Sequence, residues 1–343
     1  PRPTYMKVLL VAPPRPLWPY LNEQDNYLLP QPLVTLAAVL RRDGVDVRVI
    51  DCLPEQMGWK TLGARIREWE PDVVAGGENH ALFASEVIRL ARLAKAINPR
   101  IVTVVGGSHF TNTVPMYLPV EPIDLIVRGE GEATFSALVQ ALADSDLEAI
   151  RQSELPGLAF MREGEVHVTP PRPLIEDLDS LPMPAFDLVP MHRYGTARYL
   201  FSPGGTTIHH GRGCPGRCRF CVWWRQMAKR SLDACGNEEV SPAWRTKSVA
   251  RCVEEMAVLY ERYDKRCLVF VDPTFNIDPR WNEAFAEEVL ARNWKDLRWF
   301  GFMRSDYILR DERSGVFEKL VRSGLSHVLV GVERIEPEKL ANW

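Results

Sequence analysis

The sequence predicts an α/β protein of two units, a doubly wound parallel sheet followed by part of a β/α barrel. Short, continuous, β-branched apolar runs alternate with amphipathic stretches from Lys7 to about Asp144. After a proline-dense interval the alternation resumes from Gly204. Runs of this kind, apolar on both sides of the pleat, belong to parallel strands covered by helices on both faces. A third observation marks where the second unit begins its chemistry: Cys214, Cys218 and Cys221 crowd together directly after its first strand.

In the first unit the strands read KVLLVA (7–12), DVRVID (46–51), DVVAGG (72–77), RIVTVVGG (100–107) and DLIVRG (124–129). Helical periodicity between them is clearest at Pro32–Arg42, Trp59–Glu70 and Ala81–Ile97. Right-handed crossovers turn such an alternation into a flavodoxin-like, Rossmann-like layer. LPGLAFMREGEVHVT then reads as a hairpin turning at residues 162–165, and PPRPLIEDLDSLPMPAFDLVP as a proline-dense connection between domains. The second unit reads as a strand at 206–210, a cysteine loop and a helix from about Lys247 to Tyr263. Strands at 267–272, 297–303 and 327–333 follow, with helices at Trp281–Arg292 and Gly315–Ser323 between them. That makes four β/α units of a barrel, with the domain boundaries expected at 1–148, 149–200 and 201–343.

Size and composition narrow the class. A chain of 343 residues can bury two cores, and 46% hydrophobic with 25% charged residues suits a globular enzyme. A net charge of −3 without a long basic run argues against nucleic acid as partner. No apolar run reaches the length of a membrane span, and the start reads as a buried strand followed by prolines rather than a signal peptide. Seven cysteines, three of them clustered, fit a reducing cytoplasm better than a disulfide framework.

Ligands of parallel sheets bind at the strands' carboxyl ends. There the first unit places a proline-rich loop with Arg15 and Trp18, then Gly76-Gly77-Glu78-Asn79-His80, Gly106-Gly107-Ser108-His109 and Gly129-Glu130-Gly131-Glu132. Paired glycines let a flat or extended ligand approach the backbone, although a glycine in a strand–helix turn serves structure equally well. A dinucleotide fingerprint is lacking. In the second unit, three thiolates at Cys-x3-Cys-x2-Cys spacing can face one metal centre without completing a four-coordinate one. Iron–sulfur clusters are held by cysteines at such spacings, and three protein ligands leave one iron open. A zinc site that borrows His209 or His210, or three unrelated thiols, stays as an alternative.

The array, with Phe220 ahead of its third cysteine, resembles the signature of radical S-adenosylmethionine (SAM) enzymes. The run RGCPGRCRFC resembles the subclass with a cobalamin domain ahead of the barrel, as do the GGSHFT and DLIVRGEGEATF runs. The resemblance implies a [4Fe–4S] cluster on Cys214, Cys218 and Cys221, with SAM on the open iron. Phe220, Asp272, Thr274, Arg304 and Glu333 would then approach SAM. It implies cobalamin over the strand ends, near Arg15, Trp18, Gly76, Gly77, Glu78, Gly106, Gly107, Ser108, His109, Gly129 and Glu130. The usual Asp-x-His-x-x-Gly run after the first strand is absent, so the cobalt's lower position is expected to be empty, water-filled or covered by Arg15 or Trp18. A (β/α)6 barrel is the family's norm, so a missing carboxyl-terminal segment or a partner chain is expected to complete it.

For function, the resemblance implies a methyltransferase that uses a 5′-deoxyadenosyl radical and methylcobalamin at an unactivated centre of a small molecule or peptide. Its electron donor would be a flavodoxin or ferredoxin. A cyclase or rearrangement enzyme acting on a tetrapyrrole or nucleoside is the alternative in chemistry. A non-catalytic sensor or electron carrier is the alternative in class.

Overall fold

The computed structural model describes residues 6–15, 28–79, 81–195 and 204–333. In the first domain the strands are β1 (Lys7–Ala12), β2 (Asp46–Asp51), β3 (Val73–Gly77), β4 (Val102–Gly106) and β5 (Leu125–Val127). They are parallel and run in the order β2-β1-β3-β4-β5, the flavodoxin-like order. Each strand's two faces feed different cores. Val8 and Leu10 pack under the helices Gln31–Arg42 and Gly131–Asp144, whereas Leu9 and Val11 pack under Trp59–Trp69 and Ala84–Ile97.

The hairpin expected in the connecting segment belongs instead to this sheet. Its strands β6 (Leu158–Arg162) and β7 (Glu165–Val168) add antiparallel beyond β5, giving seven strands. Leu158, Ala159 and Phe160 are fully buried there, so their apolar area is what docks the hairpin on β5. The proline-dense connection is also more than a tether. Ala185, Phe186, Val189, Met191 and Tyr194 join one continuous core that runs from Val8 in the first domain to Trp299 in the second.

The second domain opens with β8 (Gly205–Ile208). Two antiparallel pairs follow: β9 (Gly211–Cys214) with β12 (Ala243–Thr246), and β10 (Lys229–Leu232) with β11 (Glu238–Ser241). The parallel alternation then resumes with β13 (Cys267–Phe270), β14 (Arg298–Met303) and β15 (Leu325–Val330). These three and β8 form a curved sheet in the order β15-β14-β13-β8, the expected four strands of a partial barrel. The helices Val249–Ala257, Pro279–Ala291 and Val316–Arg322 cover it. Trp281, Phe285, Phe270, Phe275 and Trp299 interlock beneath them, with Trp281 and Phe285 stacked at 5.1 Å. The helix Ser305–Arg313 and the two antiparallel pairs were not expected from the sequence.

Candidate functional site

The carboxyl ends of both parallel sheets face the junction between the domains, and the cysteine loop lies there. β8 ends at Ile208, and Asp272 takes hold of the chain just beyond it. One carboxylate oxygen accepts from the Gly211 N–H at 2.6 Å, the other from the His210 N–H at 3.3 Å. The His210 ring, also buried, lies with Nδ1 3.1 Å from the same carboxylate, among Phe275 and Trp281. Asp272 is 2% exposed. Its carboxylate faces inward, where it aims β9 and with it the first cysteine.

β9 carries Cys214 at its end, and the loop turns back on itself with the Cys221 N–H donating to the Cys218 carbonyl at 3.1 Å. Gly216 sits between two sulfurs: a Cβ built there would lie 3.5 Å from Cys214 Sγ and 3.8 Å from Cys218 Sγ. Its N–H donates to Cys214 Sγ at 3.4 Å, the kind of contact that adjusts an iron–sulfur centre's potential. Trp224 is buried and donates Nε1–H to the Cys218 carbonyl at 3.3 Å, fixing the loop from below. Among the described residues no three His, Cys, Asp or Glu side chains are arranged to hold a single metal ion. Three partly exposed thiols on one short loop, two of them beside Gly216, are a donor set that suits an iron–sulfur cluster. The remaining described thiols fit bystander roles; burial pushes the Cys52 thiol up to about 12.

Around the loop, Thr274 Oγ lies 3.9 Å from Cys214 Sγ while donating to the Pro273 carbonyl. Arg304, after β14, forms a two-pronged pair with Asp306 at 2.8 and 3.0 Å and stacks over Tyr307. Asn276 fixes the Arg304 backbone, accepting its N–H at 3.1 Å and donating to its carbonyl. Asn276 is completely buried, and the sequence reading passed over its role. Phe220 is 48% exposed on the loop, and Glu333 is exposed just past β15. Trp223 is half-exposed with its ring 6.1 Å from that of Phe302 on β14.

Across the junction, the glycine-rich turns of the first domain pack against one another. Gly107 has φ +90°, and a Cβ there would collide with the Glu78 backbone. The His109 N–H donates to the Glu78 carbonyl at 3.2 Å, and the Ser108 N–H to Asn79 Oδ1 at 3.0 Å. Glu78 is buried and pairs with Arg15 at 2.8 Å, and the Arg15 guanidinium lies over the Phe83 ring at 4.1 Å. His109 Nε2 is taken by the Tyr117 hydroxyl at 2.8 Å, and burial holds its pKa below the usual imidazole range. It serves the loop as a neutral, hydrogen-bonded ring. Gly76 and Gly77 bring β3 within contact of Val11 and Gly106. Gly129 has φ +74°, with open space where a Cβ would stand. These glycine turns make up the strand-end cradle, its backbone packed closely on itself except at the open Gly129. Trp18 and His80 lie outside the described residues.

Glu130, next along the chain, reaches toward the second domain. It is buried and paired with Arg212 at 3.0 Å and Arg245 at 2.9 Å, both from the second domain. Burial alone would raise its pKa, but the two guanidiniums hold it below the usual carboxylate range. Glu132, Arg212 and Arg245 were not singled out by the sequence reading, although Arg212 stands two residues before Cys214.

Two family models match the chain. Residues 18–139 match the B12 binding domain, and residues 208–343 match the radical SAM superfamily. The chain is 34% identical over 341 residues to an uncharacterized methyltransferase of Pyrococcus horikoshii, covering 98% of this chain and 67% of that one. It is 30% identical to the anaerobic magnesium-protoporphyrin IX monomethyl ester cyclase of Rubrivivax gelatinosus, over 89% of this chain and 52% of that one. The chain thus spans between half and two thirds of the length of these relatives. The radical SAM methyltransferase TsrM of Kitasatospora setae, solved with cobalamin and a [4Fe–4S] cluster, superposes with a TM-score of 0.73 at 20% identity. That match covers 99% of this chain and 63% of that one.

Proposed function

Since the chain belongs to the cobalamin-dependent radical SAM enzymes, we propose that it is a methyltransferase acting at an unactivated carbon of a small molecule or peptide. The observation that carries this reading is the junction itself. Arg212, two residues before Cys214, is paired with Glu130, the residue after Gly129, which ties the three-thiol loop to the glycine turns of the other sheet and supports two cofactors meeting one substrate. When bound, the cluster with SAM supplies radical initiation, and cobalamin supplies a transferable methyl group.

The chain's own residues do the rest. Cys214, Cys218 and Cys221 would hold three irons, and the Gly216 N–H would offset charge on the first sulfur. Thr274 and Phe220 stand beside the loop, where SAM is to lie. Arg304 can pair a carboxylate bidentately, exchanging Asp306 for the SAM carboxylate, and Asn276 keeps its backbone in place for this. Glu333, exposed past β15, would accept from ribose hydroxyls. In the first domain Gly76, Gly77, Gly106, Gly107 and Gly129 would admit the corrin. Ser108 and His109, already engaged with Asn79 and Tyr117, shape that surface, and the Arg15–Glu78 pair lies over the strand ends. A flavodoxin or ferredoxin would deliver the electron, and a cytoplasmic setting would keep the free thiols reduced.

The alternative chemistry, a cyclase, rests on the Rubrivivax relative. The two part under one experiment. Protein reconstituted anaerobically with iron, sulfide and hydroxocobalamin is given reductant, methyl-labelled SAM and a small-molecule extract. A methyltransferase moves label into a new product and makes 5′-deoxyadenosine; a cyclase makes an unlabelled product. No 5′-deoxyadenosine, or loss of corrin absorbance on desalting, would contradict the proposal.

A further inference from the structure

Arg212 and Arg245 stand directly opposite each other on the two-stranded ribbon of β9 and β12. Like charges facing across a strand pair repel, and both side chains are only 7% exposed. A buried charge is tolerated only when paired. The ribbon supplies no acid for either. Their partners come from the other domain, from the turn after β5: Glu130 accepts from Arg212 at 3.0 Å and from Arg245 at 2.9 Å, and Glu132 accepts from Arg212 at 2.5 Å. The connecting segment is tied in at the same point. The Ile175 N–H donates to Glu130 at 2.8 Å, and Arg245 donates to the Ile175 carbonyl at 2.7 Å. Two acids and two bases therefore neutralise each other inside the junction, and neither half is electrostatically complete alone.

Position along the chain gives the network its meaning. Glu130 directly follows Gly129, and Glu132 stands two residues on in the first turn of the helix Gly131–Asp144, at the rim of the glycine cradle. Arg212 lies two residues before Cys214 on the same short strand. We propose that Glu130, Glu132, Arg212 and Arg245 are positioning residues that lock the cluster loop at a fixed distance and orientation from the cobalamin cradle. The inference rests on the two-cofactor reading above. A guanidinium suits the task because its planar fork reaches two carboxylates at set angles, which a lysine ammonium does not.

The test uses anaerobically reconstituted full chain holding cob(II)alamin and the reduced cluster, with no substrate. The readout is the relaxation of the cob(II)alamin spin by the cluster spin, which depends steeply on their separation. Arg212→Lys keeps the charge but loses the fork, and Glu132→Gln keeps the shape but loses the charge. Both should retain iron and corrin, while the relaxation enhancement falls by about twofold or more and spreads, as expected of a displacement near 1 Å. Hydrogen exchange on the cofactor-free variants should rise in 171–177 and in β9 and stay unchanged in β1 and β13. Parent-like relaxation in both variants overturns the proposal. So does a general loss of folding and loading in both, because the network would then serve stability alone. If the unaltered protein takes up no corrin or no cluster, the two-cofactor reading fails first and the clamp falls with it.

Discussion

Asp51 ends β2 in a nearly dry setting, where Tyr194 of the connecting segment donates its hydroxyl at 2.9 Å. Burial raises the Asp51 pKa to about 6, and the Tyr194 bond only partly offsets this. In the unfolded chain the group titrates near 3.9, so between about pH 4 and pH 6 the folded chain binds more protons. Stability contributed by the neutral form is complete below about 4 and is lost as pH rises through about 6. Asp51→Asn should therefore stabilise the cofactor-free protein more at pH 7 than at pH 4, by about 2–3 kcal/mol, in urea unfolding followed at both pH values. An equal effect at the two would exclude ionisation as the cause. Residue-scale legibility was uneven. The cysteines could be read because their chemistry requires both identity and local spacing. Asp272 and Glu130 could not, because an acid at a strand end can face a ligand or turn back into the protein. Asp272 turns back to two backbone N–H groups, and Glu130 to two arginines.

At the scale of elements, the cysteine loop is held by one tryptophan and leaves the next available. Trp224 is buried and bonded to the Cys218 carbonyl, whereas Trp223 is half-exposed beside Phe302. Trp224→Ala should cost about 3 kcal/mol of stability as a large-to-small substitution and lower the iron retained after reconstitution. Trp223→Ala should leave iron content unchanged. Equal iron loss in both would show that the loop is not anchored through Trp224. The long apolar strands were legible, β1 and β2 at their predicted bounds and the other parallel strands within about three residues of theirs. The four short strands from β9 to β12 were not. GRGC, KRSL, EEVS and AWRT each carry charge within only four residues, too few and too polar for alternation to register. Their pairing is set by the opposing ribbon and the neighbouring domain.

At the scale of the molecule, the junction is where the chain becomes one object. Gln31, at the start of the helix Gln31–Arg42, donates to the Thr207 carbonyl on β8 at 2.7 Å, and Thr207 donates back to the Leu29 carbonyl. Arg128 pairs with Glu238 on the β10–β11 hairpin at 2.5 Å. None of these contacts is written in local sequence, because each joins residues about a hundred positions or more apart. The proline-dense segment read as a tether for a related reason: its composition shows irregularity but not what the irregular chain packs against. Its buried Phe186 and Tyr194 fill the seam between the sheets.

A cluster held by Cys214, Cys218 and Cys221 would present one iron without a cysteine, and electron paramagnetic resonance of the reduced cluster examines that iron directly. The unaltered protein should show a [4Fe–4S]+ signal whose g-values shift when SAM is added, the result expected of SAM taking the iron that no cysteine occupies. Variants with Ala at 214, 218 or 221 should lack that signal. A reduced-cluster spectrum unchanged by saturating SAM, or a signal that survives loss of the three cysteines, would contradict the account.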